Sequence, residues 1–468
     1  MKSTRIIFAF LLLLLAVEAN AANASLGKAP ERFVLDNGIP VHFVANNELP
    51  LLRVAVIVRG GSVNDPEGLE GTAGLMFSAM RLGTSTYPVQ DIDNRLDALA
   101  IDISITTGEE YSIIELATLK ENVDEALNIL ASVITEPSVV TSGWSLTNRF
   151  KTNKGIATLK EISKDNIRRL KDNQQALVIK HFSRLMYNGT NRQRMASLKS
   201  IDAITKSDLA SLYKGVVTPR RIQIAASGAI SAAELQRKLN GALGGWQATG
   251  FAITAEKMPA KPNGAVYFIV KDSPQSIIVK GFWAPRKASE HAYDFEIINN
   301  IIGGEGHISR LFRQIRTEHG YAYATGSFYR QGYELGLMGV YAFVRAENTI
   351  PVLEMINKIL AGSREEGFSS EEVTITKNSI RNRFVFTFAS PFDLAMKFAE
   401  IEYANLPADF YTGYLKRIEA VDEAKMREVA ATYISEQEAL TIIIGPQEQL
   451  TKLQETHGKI TVIEGNGY

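Results

Sequence analysis

The apolar positions of this chain fall into short alternating or continuous runs, separated by longer stretches of helical period. In RFVLDNGIPVHFVAN, Arg32 to Asn46, two alternating runs flank Asn37-Gly38, a dipeptide suited to a tight hairpin turn. LLRVAVIVRGGS follows as a near-continuous apolar run ended by Gly60-Gly61, which predicts a buried strand. GTAGLMFSAMRLGT, Gly71 to Thr84, places Leu75, Met76, Ala79, Met80 and Leu82 on a helical face between glycines. DIDNRLDALAID reads as a second helix, with Ile92, Leu96 and Leu99 on one side. DISITTGEEYSIIELATL alternates as a strand pair, and ENVDEALNILASVITEP is a third helix stopped by Pro137. Further on, Thr205 with Asp208 three residues later resembles a capping box.

The pattern then repeats. Glu121 to Leu130 recurs as Glu347 to Ile356 at an offset of 226, and the strand pair Phe43 to Val54 recurs as Phe268 to Val279 at 225, with Pro50 matched by Pro274 at 224. The stretch beginning at Ser200 matches the one beginning at Arg417 at an offset of 217. Chance likeness between amphipathic helices does not produce a shared order and a nearly constant offset. Two copies of one α+β domain are therefore expected, at 28–248 and 265–468. Periodicity fades in WQATGFAITAEKMPAKPNGA, and the linker is assigned to 249–264. Hairpins mixed with helices, without regular β-α-β alternation, predict largely antiparallel sheets with helices packed on one face.

Composition narrows the function. The chain has 468 residues, 45% of them apolar, ample for two such cores. Its 51 basic residues equal its 51 acidic ones, so no overall basic field favours nucleic acid or an anionic membrane. Without cysteine there is no disulfide framework, thiolate zinc site, thiol nucleophile or lipid-modified cysteine. Lys2 and Arg5 precede an apolar run, Ile6 to Val17, and then small residues at Ala19, Ala21, Ala22 and Ala24. That order predicts a signal peptide at 1–24 and export to a periplasm, the alternative being a short N-terminal anchor. No other stretch approaches the roughly 20 apolar residues of a membrane span. No G-x-S-x-G or P-loop pattern occurs, and no two of the six histidines stand three or four residues apart.

Four motifs carry a family resemblance: LDNGIPVHFVAN; the frame GT…MRLGTS; YKGVVTPRRIQIAASGAI; and IIGGEGHISRLFRQIRTEHGYAYATGSF. Over nearly the whole mature length the chain resembles the insulinase/pitrilysin family, in its mitochondrial processing peptidase-like subgroup. That resemblance implies two homologous domains in a clam-shell arrangement. It also implies that the first helix should carry H-x-x-E-H. Histidines one turn apart share a zinc ion, and the glutamate orients and deprotonates its water. A second helix supplies a third ligand, a glutamate about seventy-six residues downstream. Counting back from Gly83-Thr84 puts the two histidines at Gly74 and Ser78 and the base at Phe77, while the third ligand falls on Lys154. Each of these groups is absent, and Lys154 would repel a dication. Glu161, which accompanies the ligand in the family pattern, is kept.

The resemblance also assigns what remains. Arg316, in the last turn of a helix, and Tyr323, seven residues later, match the pair that binds peptide and stabilises the oxyanion at a zinc site. The plainer alternatives are a cation complementing the helix dipole and a core tyrosine in a strand. Gly303, Gly304 and Gly306 match a glycine-rich segment that guides substrate, or else mark a helix interruption. The reading that joins these features is a catalytically inactive subunit without a cofactor of its own. It would pair with a zinc-bearing H-x-x-E-H paralogue, supply Arg316 and Tyr323 in trans, and wall a peptide-hydrolysing chamber. The alternatives are a structural or peptide-binding protein on the same fold and, more remotely, a free-standing peptidase with an unfamiliar ligand set.

Overall fold

A computed structural model describes residues 29–141, 146–170, 172–247 and 257–464. The expected signal peptide, residues 1–24, lies outside the described residues, as do linker positions 249–256. The first half forms a six-stranded sheet from β1 (Glu31–Val34), β2 (Pro40–Ala45), β3 (Leu51–Val58), β4 (Asp102–Thr107), β5 (Ser112–Leu119) and β6 (Ile222–Gly228). Its spatial order is β1-β2-β6-β3-β5-β4. The Asn37-Gly38 turn closes β1 on β2 with Val34 opposite Pro40, and Gly38 takes the φ of +88° that such a turn requires.

The second half repeats the plan with β7 (Val266–Val270), β8 (Gln275–Ala284), β9 (Ala322–Arg330), β10 (Gly336–Arg345), β11 (Leu440–Gly445) and β12 (Thr461–Ile463). The order is β12-β7-β11-β8-β10-β9, so five strands correspond one to one and only the β1 and β12 edges differ. Pairing is mostly antiparallel, with parallel pairs at β2–β6, β7–β11 and β7–β12.

Helices of the first half are α1 (Thr72–Ala79), α2 (Val89–Ala98), α3 (Val123–Thr135), α4 (Leu146–Leu170), α5 (Gln174–Met186), α6 (Leu198–Ala203), α7 (Lys206–Val216) and α8 (Ala232–Leu239). Those of the second are α9 (Ala292–Asn299), α10 (Thr349–Glu365), α11 (Ser370–Phe384), α12 (Pro391–Tyr403), α13 (Tyr414–Glu419), α14 (Glu423–Tyr433) and α15 (Gln447–His457). At the start of α7 the capping box is formed, with Thr205 Oγ1 accepting from Asp208 N and the Asp208 carboxylate accepting from Thr205 N. Most helices of each half cover one face of their own sheet.

The other face of each sheet is covered from the opposite half. Strand alternation sends Val54, Val56 and Val58 of β3 into the first half's own core. Ile57 of β3 and Ala225 of β6 point the other way and meet Ala395 and Ala399 of α12. Conversely, α5 leaves the first half and lays Leu177, Val178, Phe182 and Met186 on Ile277, Val279, Ile442 and Ile444 of the second sheet. Both exchanged helices begin at equivalent places in the repeat, 217 residues apart at Gln174 and Pro391. The exchange explains why the central strands are apolar along their whole length: they are buried on both sides.

Contact at the exchange is close. A Cβ added to Gly281 of β8 would stand 2.1 Å from the Phe182 ring, so glycine is what admits α5. Polar groups join the halves as well. Glu402 of α12 takes both Arg32 Nη2, at 2.8 Å, and His42 Nε2, at 3.0 Å. Tyr111 packs edge-on against Tyr403 at 5.6 Å between ring centres.

Phe182→Ala is predicted to cost roughly 3–5 kcal/mol, the range for emptying a large buried aromatic site. Because α5 of the first half covers the second sheet and α12 of the second half covers the first, urea unfolding should lose both halves in one transition at a lower midpoint. Two separated transitions with an unmoved first midpoint would contradict this.

Candidate functional site

The helix that would hold zinc is intact as a helix. Gly71 at its start has φ +102° and offers no side-chain cap. Asp65 does that work from outside, its Oδ2 accepting from Gly71 N at 2.7 Å and its Oδ1 from Ala73 N at 2.6 Å. Burial raises the Asp65 pKa to about 6, against the opposing pull of those two N–H donors. Along α1, Thr72, Ala73, Leu75, Met76, Phe77 and Ala79 are all buried, which leaves Gly74 and Ser78 as the face that is not. Those are the two positions, one turn apart, that the resemblance assigns to histidines.

The residues present do not fit a zinc ion. Gly74 has no side chain, and a Cβ there would meet nothing within 4 Å. Ser78 is exposed and offers only a neutral hydroxyl. Phe77, at the position of the base, is fully buried in the first core and fills it as a hydrophobe. Lys154 is exposed on α4, which packs against α1. Gly155 permits that packing, since a Cβ there would stand 2.7 Å from Leu82. Among the described residues, no three His, Cys, Asp or Glu side chains gather as a metal-holding group.

In the second half, α9 runs into a wide π-turn over Asn300–Gly304. Gly303 is buried here, and a Cβ on it would lie 2.4 Å from Ser327 N of β9. Gly303 is a packing glycine that lets the turn lie against the strand, as the helix-interruption alternative allows. Gly304 and Gly306 are exposed, and Gly306 has φ +54° with open space around it. Arg310 anchors the next segment. It binds Glu372 of α11 through Nε and Nη2, each at 2.7 Å, and donates to Gly367 O at 2.8 Å. Burial opposes ionisation of Glu372, but Arg310 prevails and holds its pKa down to about 2. Neither Asp65 nor Arg310 emerged from sequence reasoning. The capping-box spacing of Ser369 and Glu372 was the available signal for this second anchor.

The segment so anchored presents Arg316 and Tyr323. Arg316 lies in the wide turn Phe312–Glu318, exposed, with its guanidinium carbon 4.9 Å from the centre of the Phe312 ring. Gly320, at φ +67°, ends the turn and donates to Arg316 O at 3.2 Å. In β9, Ala324 faces Phe343 and Ala322 faces Val344, so Tyr323 is the extra residue of a β-bulge on an edge strand. It is 81% exposed. Bulges re-aim a side chain and are common beside active sites. Tyr323 is therefore not core material, the plainer alternative its place in a strand allowed.

Two expectations follow from the burial pattern of this helix. Phe77→Glu should destabilise the chain by roughly 3–5 kcal/mol, because it buries an unpaired carboxylate. Gly74→His and Ser78→His should each change stability by less than about 1 kcal/mol, as both positions open outward. Urea unfolding measures all three, and a tolerated Phe77→Glu would contradict the burial of that side. For Asp65, the folded-state pKa lies above its ordinary 3.8. The folded state therefore holds the proton more tightly, and stability falls as pH rises from about 4 to about 6. The loss approaches 3 kcal/mol. Asp65→Asn should flatten that part of the stability–pH curve, and an unchanged slope would refute the assignment.

An uncharacterized zinc protease of Mycobacterium leprae is 23% identical over 395 residues, covering 83% of this chain and 85% of its own length. One from Streptomyces coelicolor is 22% identical over 425 residues, covering 88% and 90%. Among solved structures, the peptidase M16 inactive domain from Pseudomonas fluorescens has a TM-score of 0.79 at 19% identity, over 89% of this chain and 98% of that one. The periplasmic protease PqqL from Escherichia coli gives 0.74 at 14% identity, over 90% of this chain and 46% of its own. The model of the insulinase family (peptidase family M16) matches residues 43–197, and that of the peptidase M16 inactive domain matches 203–380. With both in succession over most of its length, the chain belongs to the insulinase, or M16, peptidase family.

Proposed function

We infer that this chain is a non-catalytic M16 subunit, exported from the cytoplasm, that pairs with a zinc-bearing H-x-x-E-H relative. It contributes Arg316 and Tyr323 to peptide hydrolysis at the relative's metal. The observation that carries this reading is the pairing of an emptied zinc helix with an unspent tyrosine. Gly74, Phe77, Ser78 and Lys154 offer no ligand, while a bulge on an edge strand holds Tyr323 outward in the same chain. An arginine and a phenol both donate hydrogen bonds, and those donors lower the barrier when an acyl oxygen gains charge.

Export is supported by the basic, apolar and small-residue order of positions 1–24. Among the described residues no helix is long and apolar enough to cross a membrane. The substrate class is a peptide, bound in extended form against the partner's zinc. This chain supplies binding groups and a wall, and no cofactor of its own enters the scheme.

Purified alone, the chain is expected to cleave no peptide. Mixed with the zinc-bearing relative from the same organism, it should give a complex with peptidase activity. In that complex Tyr323→Phe should lower kcat by about a hundredfold, the usual cost of removing one oxyanion donor. Arg316→Ala should lower kcat/KM at least as much. Activity unaffected by either substitution would remove the mechanism. Peptide binding without hydrolysis in any mixture would instead make the chain a peptide-binding scaffold.

A further inference from the structure

A cavity of about 400 Å³ opens in the first half, and none of the residues discussed for the zinc face or the Arg316 segment lines it. Its walls come from three places. The segment after α3 supplies Ser138 and Thr141, α4 supplies Arg149 and Thr152, and the first turn of α7 supplies Lys206 and Ser207.

The polar groups here share one character. Arg149 and Lys206 are both cations, and no carboxylate is among the described lining residues. Nor does the sequence hold any Asp or Glu between Glu136 and Glu161, a stretch with four basic residues. Burial and the neighbouring Arg149 both push the Lys206 pKa down, so the two cations repel each other across the space. The nearest acid on α7, Asp208, is not among the lining residues and is engaged by Thr205, accepting from its N–H and its hydroxyl. Ser138 is 4% exposed, and its Oγ is buried with no hydrogen-bond partner among the described residues. A buried hydroxyl left unpaired costs free energy unless something occupies the site.

We propose that this cavity binds an oxyanion of the phosphate class, carried on a small organic group that occupies the remaining volume. Arg149 and Lys206 neutralise it, and the hydroxyls of Ser138, Thr141 and Ser207 donate to its oxygens. A soluble phosphomonoester and a phospholipid headgroup share this chemistry. The site stands independently of the subunit pairing described above.

Calorimetric titration of the full chain at constant ionic strength tests it, using inorganic phosphate, phenyl phosphate and acetate. Phosphate should bind saturably, and phenyl phosphate several-fold more tightly, since it also fills the cavity. Acetate should bind weakly or not at all. Arg149→Gln and Lys206→Gln should each weaken phosphate binding by about tenfold or more, and Ser138→Ala by a few-fold. Lys199→Gln, at an exposed lysine outside the cavity, should leave it unchanged. Lys206→Gln should also keep or raise the thermal midpoint of the ligand-free chain, because it removes a repelled cation.

Sedimentation with phosphatidylcholine vesicles containing phosphatidic acid separates the two sources. Capture that phosphate displaces and Lys206→Gln abolishes assigns the lipid headgroup, whereas phenyl phosphate binding without capture assigns a soluble ester. No saturable binding of phosphate, phenyl phosphate or vesicles would overturn the proposal. So would an equal loss on Lys199→Gln, which would reduce the effect to general surface charge.

Discussion

Each sheet of this protein is completed by a helix that belongs to the other half. α5 carries Phe182 onto the second sheet, into space that Gly281 leaves open, and α12 carries Ala395 and Ala399 onto the first. Without that exchange, Ile57, Ile277, Val279, Ile442 and Ile444 would face water, at roughly 1.5–3 kcal/mol for each large side chain exposed. The two halves are thus not beads on a linker. They share cores, and the Glu402 bridge to Arg32 and His42 is set on the same helix that closes the first sheet.

A framework held this way does not need the zinc site for its integrity. α1 is fixed by its buried sides and by the Asp65 carboxylate on its first N–H groups, and neither involves the open positions Gly74 and Ser78. The fold therefore asks little of the side chains at Gly74 and Ser78. Phe77, where the resemblance expects a catalytic base, is part of the hydrophobic core. In the second half the constraint runs the other way. Arg310 clamped to Glu372, buried Gly303 and the bulge at Tyr323 all fix the course of one segment. What that segment presents to solvent, Arg316 and Tyr323, has little to do for the fold that carries it.

Much of this was legible in the residues. The hairpin at Asn37-Gly38, the strand run ended by Gly60-Gly61, the α7 capping box and the duplicated order of elements all depend on local spacing, which a sequence records directly. That Gly74 and Ser78 share one open helix face while Phe77 is buried was legible for the same reason, as spacing on one helix face is a local pattern. The helix exchange was not. An amphipathic helix declares that one side needs cover, but not which of two similar sheets will provide it. Nor did glycine content separate Gly303, packed against Ser327, from Gly306, open to solvent, because only the tertiary neighbour distinguishes them. The bulge at Tyr323 escaped too, since a single unpaired residue shows only against the register of β10. Asp65 lies eight residues before the N–H of Ala73 that it caps, beyond the usual capping spacing.

The central claim is that Tyr323 reaches a metal site on another chain, and position 323 can report this directly. Replacing Tyr323 by a photoreactive phenylalanine and irradiating the mixed complex should join this chain to the zinc-bearing relative. Mass spectrometry should map the bond to the relative's H-x-x-E-H helix or its immediate neighbours. A bond formed only within this chain, or to the relative at sites far from that helix, would contradict the account.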